Sequence, residues 1–244
     1  MGLRCGWNVS ITVFMLSLYV YLFRARTAGF DLDAMLDNFT AFADEVVIAT
    51  LAGQEDDTLE RLLEYEKRPD GRLKIVVVDM DIDKNNRFDG DLKTAAMKAC
   101  THPVRIIADA DERFLVRLRP QWDELARQLM ANERLDGWLL PVVDLYGDTD
   151  HIRLNNPLGL KFRLHKTTVA RRGVPAFAEM GGGRIDTSSS DTTEPLRADG
   201  SLAFFTCPYN TSLLNPSVCS MLKDDCYVLH YGFVDLQRRA ELGR

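Results

Sequence analysis

Between about residue 16 and residue 131 the chain alternates short apolar runs with amphipathic stretches of helical period, and that rhythm leaves few folds open. The run Leu16-Ser17-Leu18-Tyr19-Val20-Tyr21-Leu22-Phe23 is rich in aromatic and β-branched residues and suits a buried strand. Behind Asp31, the residues Leu32, Met35, Leu36 and Phe39 fall at i, i+3, i+4 and i+7, which places them on one helix stripe. A second strand is expected at Val46-Val47-Ile48-Ala49, then a helix in which Asp57 and Glu60 have capping-box spacing ahead of Leu62 and Leu63. Lys74-Ile75-Val76-Val77-Val78-Asp79 is apolar throughout and too short for a helix, the pattern of a strand covered on both faces. Asp91 heads a helix carrying Leu92, Ala95, Ala96 and Ala99; the strand Val104-Arg105-Ile106-Ile107-Ala108 and a helix opening at Pro120 follow. Right-handed βαβ crossovers then predict an α/β fold: a doubly wound, mostly parallel sheet with helices on both faces.

Size allows this to be a single domain. The 244 residues, 46% of them apolar and 27% charged, are enough to bury a full core, and the expected domain runs from 16 to 244 behind an extension at 1–15. A formal net charge of −6 argues against nucleic acid as a partner, since phosphate backbones are met by basic surfaces. Five cysteines without a C-x-x-C pair fit reduced thiols, and hence a cytoplasmic protein, better than a disulfide framework or a zinc site. The apolar stretch at 7–23 is short for a membrane span and is broken by Asn8, Ser10, Thr12 and Ser17, so membrane association is not favoured.

In open α/β sheets, ligands bind where the strands end. The strand at 104–108 ends in Asp109-Ala110-Asp111-Glu112, and two carboxylates two residues apart at such a place can face one hard divalent cation. Beyond residue 144 the regular pattern fades, with a loop-like composition at Gly181-Gly182-Gly183 and again at 187–193. A late strand, Tyr227-Val228-Leu229, delivers His230 next to Tyr231-Gly232.

Four segments in this order carry a resemblance: Ala43-Asp44-Glu45-Val46-Val47-Ile48, Glu55-Asp56-Asp57-Thr58-Leu59, the stretch from Cys100-Thr101-His102-Pro103 to Asp109-Ala110-Asp111-Glu112, and His230-Tyr231-Gly232-Phe233-Val234. Together they resemble the family 2-like glycosyltransferases of the GT-A fold. The resemblance implies a nucleotide-sugar donor held through Mn²⁺ or Mg²⁺ at Asp109 and Asp111, with His230 as a further ligand or diphosphate contact. It also implies Arg24 and Arg26 close to the nucleotide, a donor half at 16–135 and an acceptor half at 136–244. Its acceptor would be a glycan, a lipid-linked saccharide or another hydroxyl compound. Glu179 most resembles the acceptor-side glutamate that takes the acceptor proton; Asp144, Asp148 and Asp150 are the other candidates, although a polar turn around Gly147 accounts for them better than catalysis does. The chain departs from the family by carrying Thr50, rather than an acid, at the end of the second strand.

Two other readings have some support. The stretch from Asp79 to Asn86 looks like a calcium loop, but Lys84 stands where the turn glycine belongs and Gly90 where the bidentate glutamate belongs. Asp79 is better placed as part of a donor-site loop leaving the strand end. A sugar-phosphate nucleotidyltransferase would need a glycine-rich loop after the first strand, and Phe23-Arg24-Ala25-Arg26-Thr27 has none.

Overall fold

The first apolar run becomes the middle of the sheet. In the computed structural model, which describes residues 15–81, 88–152, 159–167, 169–170, 196–197, 201, 203–208, 226–232 and 234, strand β1 (Leu16–Leu22) lies between parallel neighbours. It is followed by α1 (Ala25–Ala28), α2 (Leu32–Phe42), β2 (Glu45–Leu51), α3 (Thr58–Glu66), β3 (Leu73–Val78), α4 (Phe88–Ala99) and β4 (Val104–Ile107). Then come β5 (Glu112–Phe114), a 3₁₀ turn at Val116–Leu118, α5 (Arg119–Ala131), β6 (Gly137–Asp144) and β7 (Gly159–Lys166). The last described strands are β8 (Val169–Ala170), β9 (Leu196–Arg197), β10 (Phe205–Thr206) and β11 (Val228–His230). The main sheet runs β3-β2-β1-β4-β7-β6-β11-β5, with β10 against the start of β6 and β8 paired with β9 apart from it.

Side-chain alternation along β1 explains why helices are needed on both faces. Leu16, Leu18, Val20 and Leu22 point into one core with Leu32, Met35, Leu36 and Phe39 of α2, Leu62 and Tyr65 of α3, and Trp122, Leu125 and Leu129 of α5. Tyr19, on the opposite face, packs with Val47, Ala49, Leu92, Ala96, Met97 and Ile107, so α4 covers that side. The stretch read as too polar for a membrane span therefore ends in a strand buried within a sheet, and no helix among the described residues is long and apolar enough to cross a membrane. Residues 1–14 lie outside the described residues.

Most strand pairs are parallel, as expected; β7 pairs antiparallel with both β4 and β6, and β5 antiparallel with β11. Two local expectations change. Asp57 precedes α3 but makes no capping hydrogen bond, because its carboxylate is taken by Arg26 at 3.2 Å; Asp56 accepts from the Thr58 N–H instead. Strand β7 falls where the pattern fades, and the reason lies in its cationic side chains, which the site uses.

The crossover from β3 to β4 sets the geography. The chain winds from β1 out to β3, then returns to place β4 on the other side of β1, so the C-terminal ends of β1 and β4 flank the point where the winding reverses. The acidic run 109–112 leaves the sheet there.

Under α5 an aromatic cluster fixes this end of the core: Phe42 stacks on Phe114 at 4.9 Å, and Trp122 meets both rings edge-on at 5.4 Å. Trp122 is fully buried, so Trp122→Ala is expected to cost about 3–5 kcal/mol by lost burial and an unfilled cavity. Urea unfolding measures this loss, and a value below about 1 kcal/mol would show that the cluster repacks.

Candidate active site

The strand register brings the site together. In β11, His230 is paired with Asp144 of β6 on one side and with Glu112 of β5 on the other. The backbone tightens this: the Tyr231 N–H donates to the Asp111 carbonyl at 2.7 Å, and the Leu145 N–H to the His230 carbonyl at 3.0 Å. As a result the imidazole lies between two carboxylates, with Nε2 3.1 Å from Asp111 Oδ2 and Nδ1 2.7 Å from Asp144 Oδ1. Gly232 leaves room for the ring. A Cβ there would stand 2.7 Å from His230 Cε1 and 2.8 Å from Nε2.

Burial by itself would lower the imidazole pKa, but the hydrogen bonds to Asp111 and Asp144 outweigh it and raise the group to about 10. For Asp111 the balance runs the other way: burial would raise the carboxyl, and the His230 hydrogen bond holds it below its usual value. Both ring nitrogens face acceptors, so the ring is an imidazolium in this arrangement.

Asp109 sits among cations. Lys93 of α4 donates to Oδ1 at 2.8 Å, Arg163 of β7 to Oδ2 at 3.1 Å, and the Lys161 ammonium is 3.7 Å from Oδ2. Burial would raise its pKa, yet these three cations hold it well below the carboxylate range. Glu112 is fully buried and pairs with the same Arg163; it also accepts from the Asp109 N–H at 3.0 Å, which closes the acidic turn. Its pKa is raised because burial exceeds the opposing pull of Arg163.

The remaining sequence candidates are spread around this centre. Arg24 lies on the turn after β1 and Arg26 in α1, held by Glu55 at 2.9 Å and Asp57 at 3.2 Å respectively. Thr50 is buried: its hydroxyl donates to the Leu22 carbonyl at 2.8 Å and accepts from Gln54 Nε2 at 2.5 Å. Asp79 is exposed just past edge strand β3. Asp148 accepts from the N–H groups of Asp150 and His151, which is the polar turn expected around Gly147. Glu179, Asp83 and the rest of the stretch at 82–87 lie outside the described residues.

Sequence reasoning missed Lys93, Lys161 and Arg163. A signal was present: Lys161, Arg163 and His165 recur at every second position, so a strand would put all three on one face. His165 belongs to the core, with Nε2 2.9 Å from the Tyr19 hydroxyl.

The donor set fits a hard divalent cation in part. His230 has one nitrogen oriented by Asp144 and the other directed at Asp111, the usual support of a metal-binding histidine. A cation on Nε2 requires that proton to leave. Among the described residues no group of three or more His, Cys, Asp or Glu side chains could hold a metal alone, so two protein donors would need oxygens from a diphosphate and water to complete the shell.

No known protein-family model matches the chain, and no curated protein matches it. Solved structures do. It is similar to a mannosyltransferase from Pyrobaculum calidifontis in complex with GDP-Man and Mn²⁺, at 14% identity over 93% of this chain and 61% of that one, with a TM-score of 0.49. It is also similar to S. aureus TarS 1-349 in complex with UDP-GlcNAc, at 13% identity over 82% of this chain and 61% of that one, with a TM-score of 0.48. The chain therefore spans about three fifths of each of these.

Gly232→Ala tests the geometry. The added methyl group must push the imidazole off Asp111, so the His230 pKa is expected to fall from about 10 toward its ordinary 6.5, as read by NMR titration of metal-free protein. A group whose folded pKa is raised adds stability that is complete below the unfolded value and vanishes as pH climbs through the folded value. The stability gap between wild type and variant should thus be widest below pH 6.5 and close toward pH 10. An unchanged titration would show that the ring has another way to rest on Asp111.

Proposed function

We propose that this chain is a metal-dependent glycosyltransferase that moves a sugar from a nucleotide-sugar donor to an acceptor hydroxyl, with inversion at the anomeric carbon. One observation carries the reading: Asp111 and His230 come from distant parts of the chain to within 3.1 Å at the strand ends, with the other histidine nitrogen already fixed by Asp144. Asp111 and His230 would hold Mn²⁺ or Mg²⁺, with Asp109 beside them. The cation, when bound, neutralises charge on the leaving diphosphate.

The protein's own groups account for the rest of the chemistry. Asp144 keeps the histidine ring in one orientation. Lys93 and Arg163, both nearly fully buried, fix the Asp109 carboxylate so that the acidic turn presents a set geometry rather than a mobile one. Arg24, Arg26 and Asp79 lie beyond the ends of β1 and β3 and are assigned to the donor. Glu179, assigned from the sequence alone, takes the acceptor proton as the new bond forms, so it acts in the transition state and not on the donor.

Thermal stability in the presence of UDP, GDP or their sugar conjugates, with and without Mn²⁺, is the direct test. A metal-dependent rise is expected for wild type. Asp111→Asn should abolish that rise and cut transfer by roughly 100-fold or more while the apo protein stays folded, because the change removes a charged donor without opening a cavity. Equal responses in wild type and variant would overturn the metal site. For Glu179→Gln, donor affinity should hold within about twofold while turnover drops roughly 10²–10⁴-fold. Loss of donor binding as severe as that of Asp111→Asn would remove Glu179 from its role.

A further inference from the structure

Strand β3 ends the sheet, and among the described residues no strand lies beyond it. The Arg72 and Val78 carbonyls accept from the Val46 and Ala52 N–H groups on the β2 side, at 2.8 and 3.0 Å. Backbone groups of successive residues point alternately to the two sides of a strand, so those of Leu73, Ile75 and Val77 turn to the open edge. Such an edge is ready to pair with another chain, and proteins usually guard it with prolines, bulges or charged side chains. Between Lys74 and Asp79 the strand carries none of these, and its register with β2 is unbroken.

One guard is present, and it comes from outside the strand. Glu66, the last residue of α3, accepts the Ile75 N–H on Oε1 at 2.8 Å. Beside it the surface is apolar. Leu73 and Ile75 pack with the core that α3 covers, and Val76 and Val78 with the core that α4 covers, so alternation puts Val77 on the α3 side, where it is 47% exposed. Leu63 of α3, about one helix turn before Glu66, is 36% exposed.

The charges along β3 favour one occupant. The strand begins basic, with Arg72 and Lys74, and runs out acidic, with Asp79 and Asp81. A second copy laid antiparallel sets each basic start beside the other's acidic end, whereas parallel pairing would set like charges together. Two identical edges paired antiparallel are related by a twofold axis. Of Ile75 and Val77, the two outward-facing residues nearest the middle of the apolar run, Val77 is the one Glu66 leaves uncovered, so an axis at Val77 lets the first two interchain hydrogen bonds form without the Ile75 N–H.

We infer that two copies of this chain associate through antiparallel pairing of their β3 edges centred on Val77. Glu66 holds that association in check, because it occupies the Ile75 N–H that would otherwise donate to the Asp79 carbonyl of the second copy. The inference stands apart from the glycosyltransferase reading, since it uses none of the candidate chemistry.

Sedimentation velocity over a range of protein concentrations tests it. Wild type is expected to dimerise weakly, and Glu66→Ala roughly tenfold more tightly, the worth of about one competing hydrogen bond. Val77→Lys brings like charges together on the axis and should abolish dimerisation in both backgrounds, with a melting temperature of the monomer within about 2 °C of wild type. Val77→Cys reads the register. Facing residues of an antiparallel hydrogen-bonded pair have Cα atoms about 5.5 Å apart, within disulfide reach, so mild oxidation should give a crosslinked dimer that neither wild type nor the exposed control Met130→Cys forms. A monomer at every concentration in both wild type and Glu66→Ala would overturn the interface, as would dimerisation that survives Val77→Lys. Equal association of wild type and Glu66→Ala would overturn the role of Glu66, and a dimer that Val77→Cys fails to crosslink would overturn the register.

Discussion

Everything at the candidate site depends on where one three-residue strand is seated. By pairing parallel to β6 and antiparallel to β5, β11 sets His230 across from Asp144 and from Glu112 at once. A slip of one residue would turn the imidazole to the opposite face of the sheet, because strand side chains alternate. The register is held by the ladder and by backbone bonds at either side of His230, and Gly232 gives the ring its space.

The electrostatics divide into two neighbouring parts with different characters. Around Asp109, buried cations and buried carboxylates neutralise each other; removing a single partner from such a set costs more than the set contributes as a whole. Around Asp111 the side-chain partner is the imidazole of His230, itself held on its other side by Asp144. The first part is a closed set of buried charges and the second a single carboxylate–imidazole pair, although the two carboxylates are separated by one alanine.

Much of the fold could be read from the sequence because its signals are local. The apolar runs at 16–23, 46–49, 74–78 and 104–108 became β1 to β4, and the stripe Leu32, Met35, Leu36 and Phe39 became the buried face of α2. The acidic turn was legible from its position at a strand end, and His230 from the strand that delivers it. What could not be read is whatever depends on pairing between remote strands. Asp144 looked like part of a polar turn, since nothing near it in sequence announces a histidine 86 residues away. Strand β7 was obscured because charged residues are depleted in strands, and only the partners of Lys161 and Arg163 make them favourable there. Asp57 shows the converse: its capping signature was genuine in sequence, but a closer arginine claimed the carboxylate.

The separation of 119 residues between Asp111 and His230 also has a kinetic meaning. The pairs β1–β2 and β2–β3 join successive βαβ units, whereas the seating of β11 on β5 closes a loop of over a hundred residues, and loop closure of that kind is slow relative to local pairing. During synthesis from the N-terminus, the winding of the first four strands can be complete before residue 230 is made. The acidic turn would therefore exist for a time with its histidine not yet in place, and the pairing of Asp111 with His230 would arise only as the last described strand docks.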